Sequence, residues 1–426
     1  MSVIFRGVTI ADPQSPFHGQ QADVLVRDGK IAEIGPAGSL KGSAPVADLP
    51  SGSFISPGWV DMLVNLSDPG FEWKETLAQL AQAAQFGGFT QIVCMPNTQP
   101  VIDNSQILRS IIQRIHGLPV EFWLTGALTS GTKGEDLAEM YDMAVAGAVA
   151  FGDGSHAVQK PGVVLRALQY LRAFDGVMVS PADEKSVSGS GQMNEGDAST
   201  RLGMKGIPEI SETLAVARDL EIWSYTGGRI HFQPLSTSAA LLKVREANGK
   251  GTLSTGTAIA YLTLDEDMLE TYDPVYKIFP PLRNRTQQAS LLKALEDGLI
   301  DTLGSGHHPQ GLEEKEVEFE TAEPGMLGLQ TFFPLACERL IHQGVIDLAR
   351  FVELVCVNPR RILGKEKVSV EKGNVADLTV FNPEIKWEFS SAHISARSKN
   401  SPFIGKTMTG RVLGTCLKGQ WQPSML

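Results

Sequence analysis

The chain has 426 residues, 42% of them hydrophobic and 20% charged, with a formal net charge of −11 at pH 7. That length is long for one ordinary domain but suits a barrel of roughly 250 residues with a smaller companion. The acidic balance and the lack of a basic run exclude a nucleic-acid surface, and no apolar run reaches the roughly 18 residues of a membrane helix.

The N-terminal MSVIFRGVTIADPQ has no charged region followed by an apolar one, so it does not read as a signal peptide. Cys94, Cys337, Cys356 and Cys416 are far apart and form no CxxC, which predicts free or buried thiols in a reducing cytoplasm. The first fifty residues alternate short apolar runs with turn signals, and Arg27-Asp28-Gly29-Lys30 predicts a hairpin turn. Next come β-branched apolar runs spaced by helix-length segments: TQIVCM (90–95), VEFWLTGAL (120–128), AVAFG (148–152), GVMVS (176–180), RIHFQPLS (229–236) and IDTLGSG (300–306). This alternation implies a parallel α/β fold, and its scale favours a (β/α)8 barrel with its site at the C-terminal ends of the strands. The Gly/Ser-rich stretch 181–206 is expected to form a long loop over that face. VADLTVFN (375–382) and TGRVLGTCLKGQWQP (409–423) return to the texture of the N-terminus. The two ends are therefore expected to meet in one small β-sandwich domain, residues 1–55 plus 366–426, around a barrel at 56–365.

Several landmarks support a family resemblance. They include PGWVDMLVNLSDPG (57–70), KETL (74–77), GGFTQIVCMPNTQPVID (87–103), the HxxxxST element at 231–237, PPLR (280–283), EPGMLGLQT (323–331) and NPRRILG (358–364). In combination the chain resembles the dihydroorotases of the amidohydrolase superfamily over essentially its whole length. The resemblance implies reversible cyclisation of carbamoyl aspartate to dihydroorotate on one or two zinc ions, with an aspartate shuttling the proton. Such chemistry requires imidazole and carboxylate ligands that leave one coordination position open for water.

Position by position, the chemical groups are replaced. The family's HxH falls on Leu63 and Asn65, and the arginine that grips the substrate carboxylate falls on Ser67. Asp153 retains the metal-ligand carboxylate, but the next two histidine ligands are Ser180 and Pro234, and Gly306 stands where the proton shuttle should be. Leucine offers no donor at all, and groups of this kind act as a unit. The resemblance with these losses implies no catalytic residue, no zinc and no other cofactor. Asn97, His307, Pro324 and Gly325 match the substrate side of the family and are expected to line a vestigial pocket. A repurposed metal site would have to draw on His231, His156 and His307-His308 with Asp153, but the adjacent pair His307-His308 on an extended segment points to opposite sides.

The implied function is a non-catalytic dihydroorotase homologue of pyrimidine biosynthesis, acting as a structural or regulatory subunit. Expected partners are further copies of itself in a homo-oligomer and aspartate carbamoyltransferase, with no nucleic acid and no membrane. The alternative is an active dihydroorotase, or a related cyclic-amide hydrolase, with an atypical metal-poor site that uses His307 and Asp153 as its acid–base groups.

Overall fold

Two sheets organise the chain in the computed structural model, which describes residues 2–41 and 44–424. Eight parallel strands follow one another in chain order: Trp59–Val64, Phe89–Cys94, Glu121–Gly126, Ala150–Phe151, Val177–Ser180, Arg229–Phe232, Leu253–Ala258 and Thr302–Gly304. The first two are buried at every residue. That is what a parallel strand covered on both faces requires, and it explains their unbroken apolar runs. Helices connect the strands on the outside. Leu77–Phe86 starts from a capping box in which Gln79 N–H donates to Thr76 Oγ1 (3.3 Å) and Thr76 N–H donates to Gln79 Oε1 (3.0 Å). The KETL landmark is therefore a helix start.

The last strand meets the first through a short seam. Val64 bridges His307 in parallel register, and Asn65 N–H donates to His307 O (2.9 Å). Below that bridge the Asp61 carboxylate takes the place of backbone pairing. It accepts from Leu63 N (2.9 Å) and from Ser305 N (3.2 Å to each oxygen).

The second sheet has seven strands in the order 420–423, 406–417, 378–389, 54–57, 2–10, 21–27 and 30–36, so both chain ends contribute to it. Its turns follow the sequence signals. Asp28 and Gly29 have φ of 50° and 82°, and Lys418 and Gly419 have 50° and 79°. Positive φ at both central residues suits a tight hairpin. Between the strands Leu378–Phe389 and Lys406–Leu417 the chain leaves the sheet and lies on the barrel, where Ser398 N–H donates to Lys74 O (3.1 Å). All four cysteines are buried and unpaired. Among the described residues no helix is long and apolar enough to cross a membrane.

The stretch 181–206 is more ordered than its composition suggests. It carries two short helices, Lys185–Ser188 and Asp197–Leu202, and Met193–Asn194 pairs in parallel with Gly206–Ile207. The polar sequence hides Met193, Ala198 and Met204, which form a satellite core with Leu269 and Phe319.

Sheet and barrel are fastened by an aromatic cluster and a buried ion pair. Trp59 is fully buried against Phe89, Phe333, Phe351 and Phe381, with centroids 5.1–6.2 Å away, and its indole N–H donates to Ser56 Oγ (2.9 Å). Arg360 donates to Gly58 O (2.8 Å) and to Asp377 Oδ2 (2.9 Å). A Cβ at Gly58 would lie 2.0 Å from Asp377 Oδ1, so only glycine lets the pair come this close. Removing one partner of such a pair leaves a buried charge uncompensated. Arg360→Met is expected to lower the unfolding free energy by roughly 3–5 kcal/mol, read from urea denaturation. Adding Asp377→Leu should recover part of the loss, and an unchanged midpoint in the single variant would contradict this role.

Candidate active site

A cavity of about 680 Å³ opens at the C-terminal ends of the barrel strands. Leu63, Asn65, Ser67, Asn97, Pro234, Gly306, Pro324 and Gly325 all line it, so the fold brings together eight of the positions picked out from the sequence. Asp153, Ser180 and His307 do not join them.

Asp153 is 2% exposed, and both of its oxygens are engaged. Oδ1 accepts from Leu128 N (2.9 Å) and Thr129 N (2.8 Å), while Oδ2 accepts from the Thr129 hydroxyl. Burial raises its pKa against these bonds. The carboxylate ties the end of the third strand to the end of the fourth, beside a separate void of about 10 Å³ that it shares with Ser180. Ser180 Oγ donates to Asp219 Oδ2 (2.9 Å).

His307 departs from the expected place in the pocket. It is fully buried, its Nε2 lies 2.9 Å from Glu75 Oε2, and its Nδ1 accepts from Gly328 N (3.3 Å). The reason is alternation on an extended segment: His307 turns into the frame and His308 turns to the cavity. His308 accepts at Nε2 from Gln310 Nε2 (3.2 Å), and burial, with Lys74 and Lys315 nearby, pushes its pKa down to about 3.

Asn97 borders the cavity, but its amide serves a turn. Nδ2 donates to Asp153 O (3.0 Å), and Oδ1 accepts from Ser155 N (3.0 Å). Gly154 has φ +64° and a Cβ there would sit 1.6 Å from Asn97 Oδ1, so the turn needs glycine. Gly306 has φ +67°, in the left-handed region that glycine enters freely. The Pro324–Gly325 corner is held by Gln310 Nε2 donating to Pro324 O (2.7 Å) and by Gly325 N donating to Lys277 O (2.8 Å).

Beneath the cavity the barrel axis is filled by bonded side chains. His231 is fully buried, with Nε2 2.8 Å from Gln233 Oε1 and Nδ1 2.9 Å from Ser254 Oγ. Gln233 Nε2 then crosses to donate to Met62 O (2.5 Å) on the first strand. Burial pushes the His231 pKa down to about 4. The Ser236-Thr237 element and PPLR also turn out to be framework. Glu212 accepts from both backbone amides and both hydroxyls of Ser236 and Thr237, and Arg283 donates to Ser236 Oγ (3.0 Å). Sequence reasoning missed Glu212, which carries no motif signal, and missed Lys74 and Asp183 on the cavity wall, whereas His308, a candidate from the sequence, does line it. Lys74 stood inside a quoted motif, so a signal was available for that residue.

The closed parallel strands with a site at their C-terminal ends define a (β/α)8 barrel of the kind that carries enzyme sites. Comparison with known proteins agrees. Residues 52–240 match the dihydro-orotase-like family and residues 223–421 match the amidohydrolase family. Dihydroorotases of Trichlorobacter lovleyi and Pelobacter propionicus are each 38% identical over 422 residues, covering 99% of both chains. The L-hydantoinase (dihydropyrimidinase) of Arthrobacter aurescens superposes with a TM-score of 0.86 at 26% identity, covering 98% of this chain and 95% of its own. The chain belongs to the dihydroorotase family.

The depressed pKa of His231 sets a pH dependence. The unfolded chain binds its proton near pH 6.5 and the folded chain near 4, so stability from this group is present above 6.5 and is lost as pH falls towards 4. Asp61 opposes it, since burial raises its pKa to about 6 and its folded form loses stability as pH rises through the range from 3.8 to 6. Replacing only the histidine isolates its share. The His231→Gln variant should lose less stability than the wild type between pH 7 and pH 4.5, by about 2 kcal/mol, in urea unfolding at the two pH values. Identical pH slopes would contradict the assignment.

Proposed function

We propose that this dihydroorotase-family chain performs no metal-dependent hydrolysis and serves as a structural or regulatory subunit in pyrimidine biosynthesis. The observation that carries the reading is the engagement of Asp153. The one carboxylate kept from the family's ligand set has both oxygens bonded to Leu128 and Thr129, away from the cavity.

The remaining donor set does not fit zinc. Leu63 and Gly306 supply no side-chain donor, Pro234 supplies none, and Asn65 Nδ2 faces the His307 carbonyl at 3.4 Å. Among the described residues no group of three or more His, Cys, Asp or Glu side chains is placed to hold a metal ion. A catalytic zinc site takes three protein ligands and an open position. The family's bidentate grip on a substrate carboxylate also lacks its cation, because Ser67 is neutral. The retained frame of capping box, Glu212 network and barrel seam supports a fold kept for assembly. In this reading the chain forms a homo-oligomer in the cytoplasm and associates with aspartate carbamoyltransferase, while a second dihydroorotase supplies the chemistry.

The purified chain, incubated with dihydroorotate and separately with carbamoyl aspartate, is expected to give no turnover above a protein-free control. On size-exclusion chromatography with the same organism's aspartate carbamoyltransferase it should co-elute in a larger species. Zinc-dependent turnover would overturn the non-catalytic reading, and separate elution would overturn the partner.

A further inference from the structure

The mouth of the cavity is unusually apolar for a surface. Trp73 is 53% exposed, Leu312 66% and Phe279 38%. Phe279 and Trp73 are tied to the cavity directly or through Phe71, and Leu312 lies near Trp73 in the chain that follows the last strand. Phe279 and Phe71 line the cavity, the Phe71 and Trp73 rings stand 5.5 Å apart, and the Trp73 indole N–H donates to Glu314 Oε1 (3.1 Å), two residues after Leu312. Exposed aromatic and aliphatic side chains around a deep hole are the anatomy of an anchor-residue docking site.

Beside this rim runs an acidic strip. Glu313, Glu316, Glu318, Glu320 and Glu323 are all exposed. The strip doubles back, with Glu323 N donating to Glu314 O (3.1 Å), so that Glu323 reaches the cavity wall. Its orientation is imposed by two buried lysines. Lys315 Nζ donates to Pro274 O (2.8 Å) and Lys277 O (3.2 Å), and Lys277 Nζ donates to Phe319 O (2.8 Å) and Glu320 O (3.0 Å). The cations therefore face inward and the carboxylates outward.

Two carboxylate oxygens, one on the cavity wall and one near Trp73, lack a hydrogen-bond partner. Asp183 is 7% exposed and forms part of the cavity wall, where Oδ2 accepts from Ser188 but Oδ1 is unpaired. Glu314 Oε2, at the rim, is also unpaired. Buried oxygens of this kind call for a donor. Lys74 is already held by Gln310 Oε1 (2.6 Å) and Glu314 (3.5 Å), and Lys185 is the exposed cation on the cavity wall.

We propose that the cavity mouth docks a segment of a partner protein in which an apolar or aromatic anchor, flanked by Lys or Arg, enters the cavity beside the acidic strip. The anchor would take the apolar rim, and the flanking cations would face Glu316, Glu318, Glu320 and Glu323. This deepens the non-catalytic reading and rests on it, since the cavity must be free of substrate.

The test uses the full-length chain and fluorescein-labelled heptapeptides RKLXLKR, with X as Leu, Phe, Trp or Met. At least one should bind saturably by fluorescence anisotropy. The matched EELXLEE and RKSGSKR peptides should bind at least about tenfold more weakly, and added salt should weaken the basic peptides. Leu312→Asp, and the combined Glu316→Lys, Glu318→Lys and Glu320→Lys changes, are on the exposed surface, so the fold should survive them. Each is expected to reduce affinity about tenfold or more. Absence of saturable binding, equal binding of the acidic peptides, full competition by spermidine at equal concentration, or unchanged affinity in Leu312→Asp would overturn the proposal. Turnover measured on the same preparation separates the two readings. An inactive chain that ignores the peptides loses only the docking site, whereas an active chain loses the non-catalytic role.

Discussion

The barrel depends on a buried carboxylate at its seam. Asp61 accepts from Leu63 N on its own strand and from Ser305 N on the last strand, so one side chain performs the pairing that the short final strand does not. Desolvation at this depth pushes its pKa up to about 6, and the bonds it receives offset that cost in part. The seam also fixes what faces what. Leu63 packs against Gly304, where a Cβ would come within 2.7 Å of the Leu63 Cβ, and Gly306 follows directly above. Leu63 and Gly306 both line the cavity above.

The same economy runs through the interior. His231 and Gln233 bridge the sixth strand to the Met62 carbonyl of the first, and Thr302 Oγ1 lies 3.3 Å from His231 Nε2. Polar groups that could have met water or a metal are bonded to one another. Burial keeps His231 neutral, so it serves as a paired framework histidine. The cavity above keeps its walls, its corner at Pro324–Gly325 and its mouth.

Fold was legible where periodicity and turn chemistry act locally. The buried runs 59–64 and 89–94, the Asp28-Gly29 and Lys418-Gly419 turns and the meeting of the two chain ends all follow from pattern. The stretch 181–206 was less legible because three scattered apolar residues, Met193, Ala198 and Met204, form a core only with Leu269 and Phe319 from far along the chain. At the site, motif positions located the cavity wall, yet they gave no account of which way a side chain turns. Asp153 and His307 carry the right chemistry and face the frame, while His308 faces the cavity. Glu212 was silent because it lies outside every motif and meets its partners, the amides and hydroxyls of Ser236 and Thr237, only in the fold.

We propose that this site does not hold zinc. The most direct measurement is the metal content of the full-length chain by plasma mass spectrometry, after equilibration with zinc and removal of the excess by dialysis. The account predicts zinc well below stoichiometric, with no change in thermal unfolding on adding the metal. Retention of about one zinc ion or more per chain, together with a raised unfolding temperature, would contradict it.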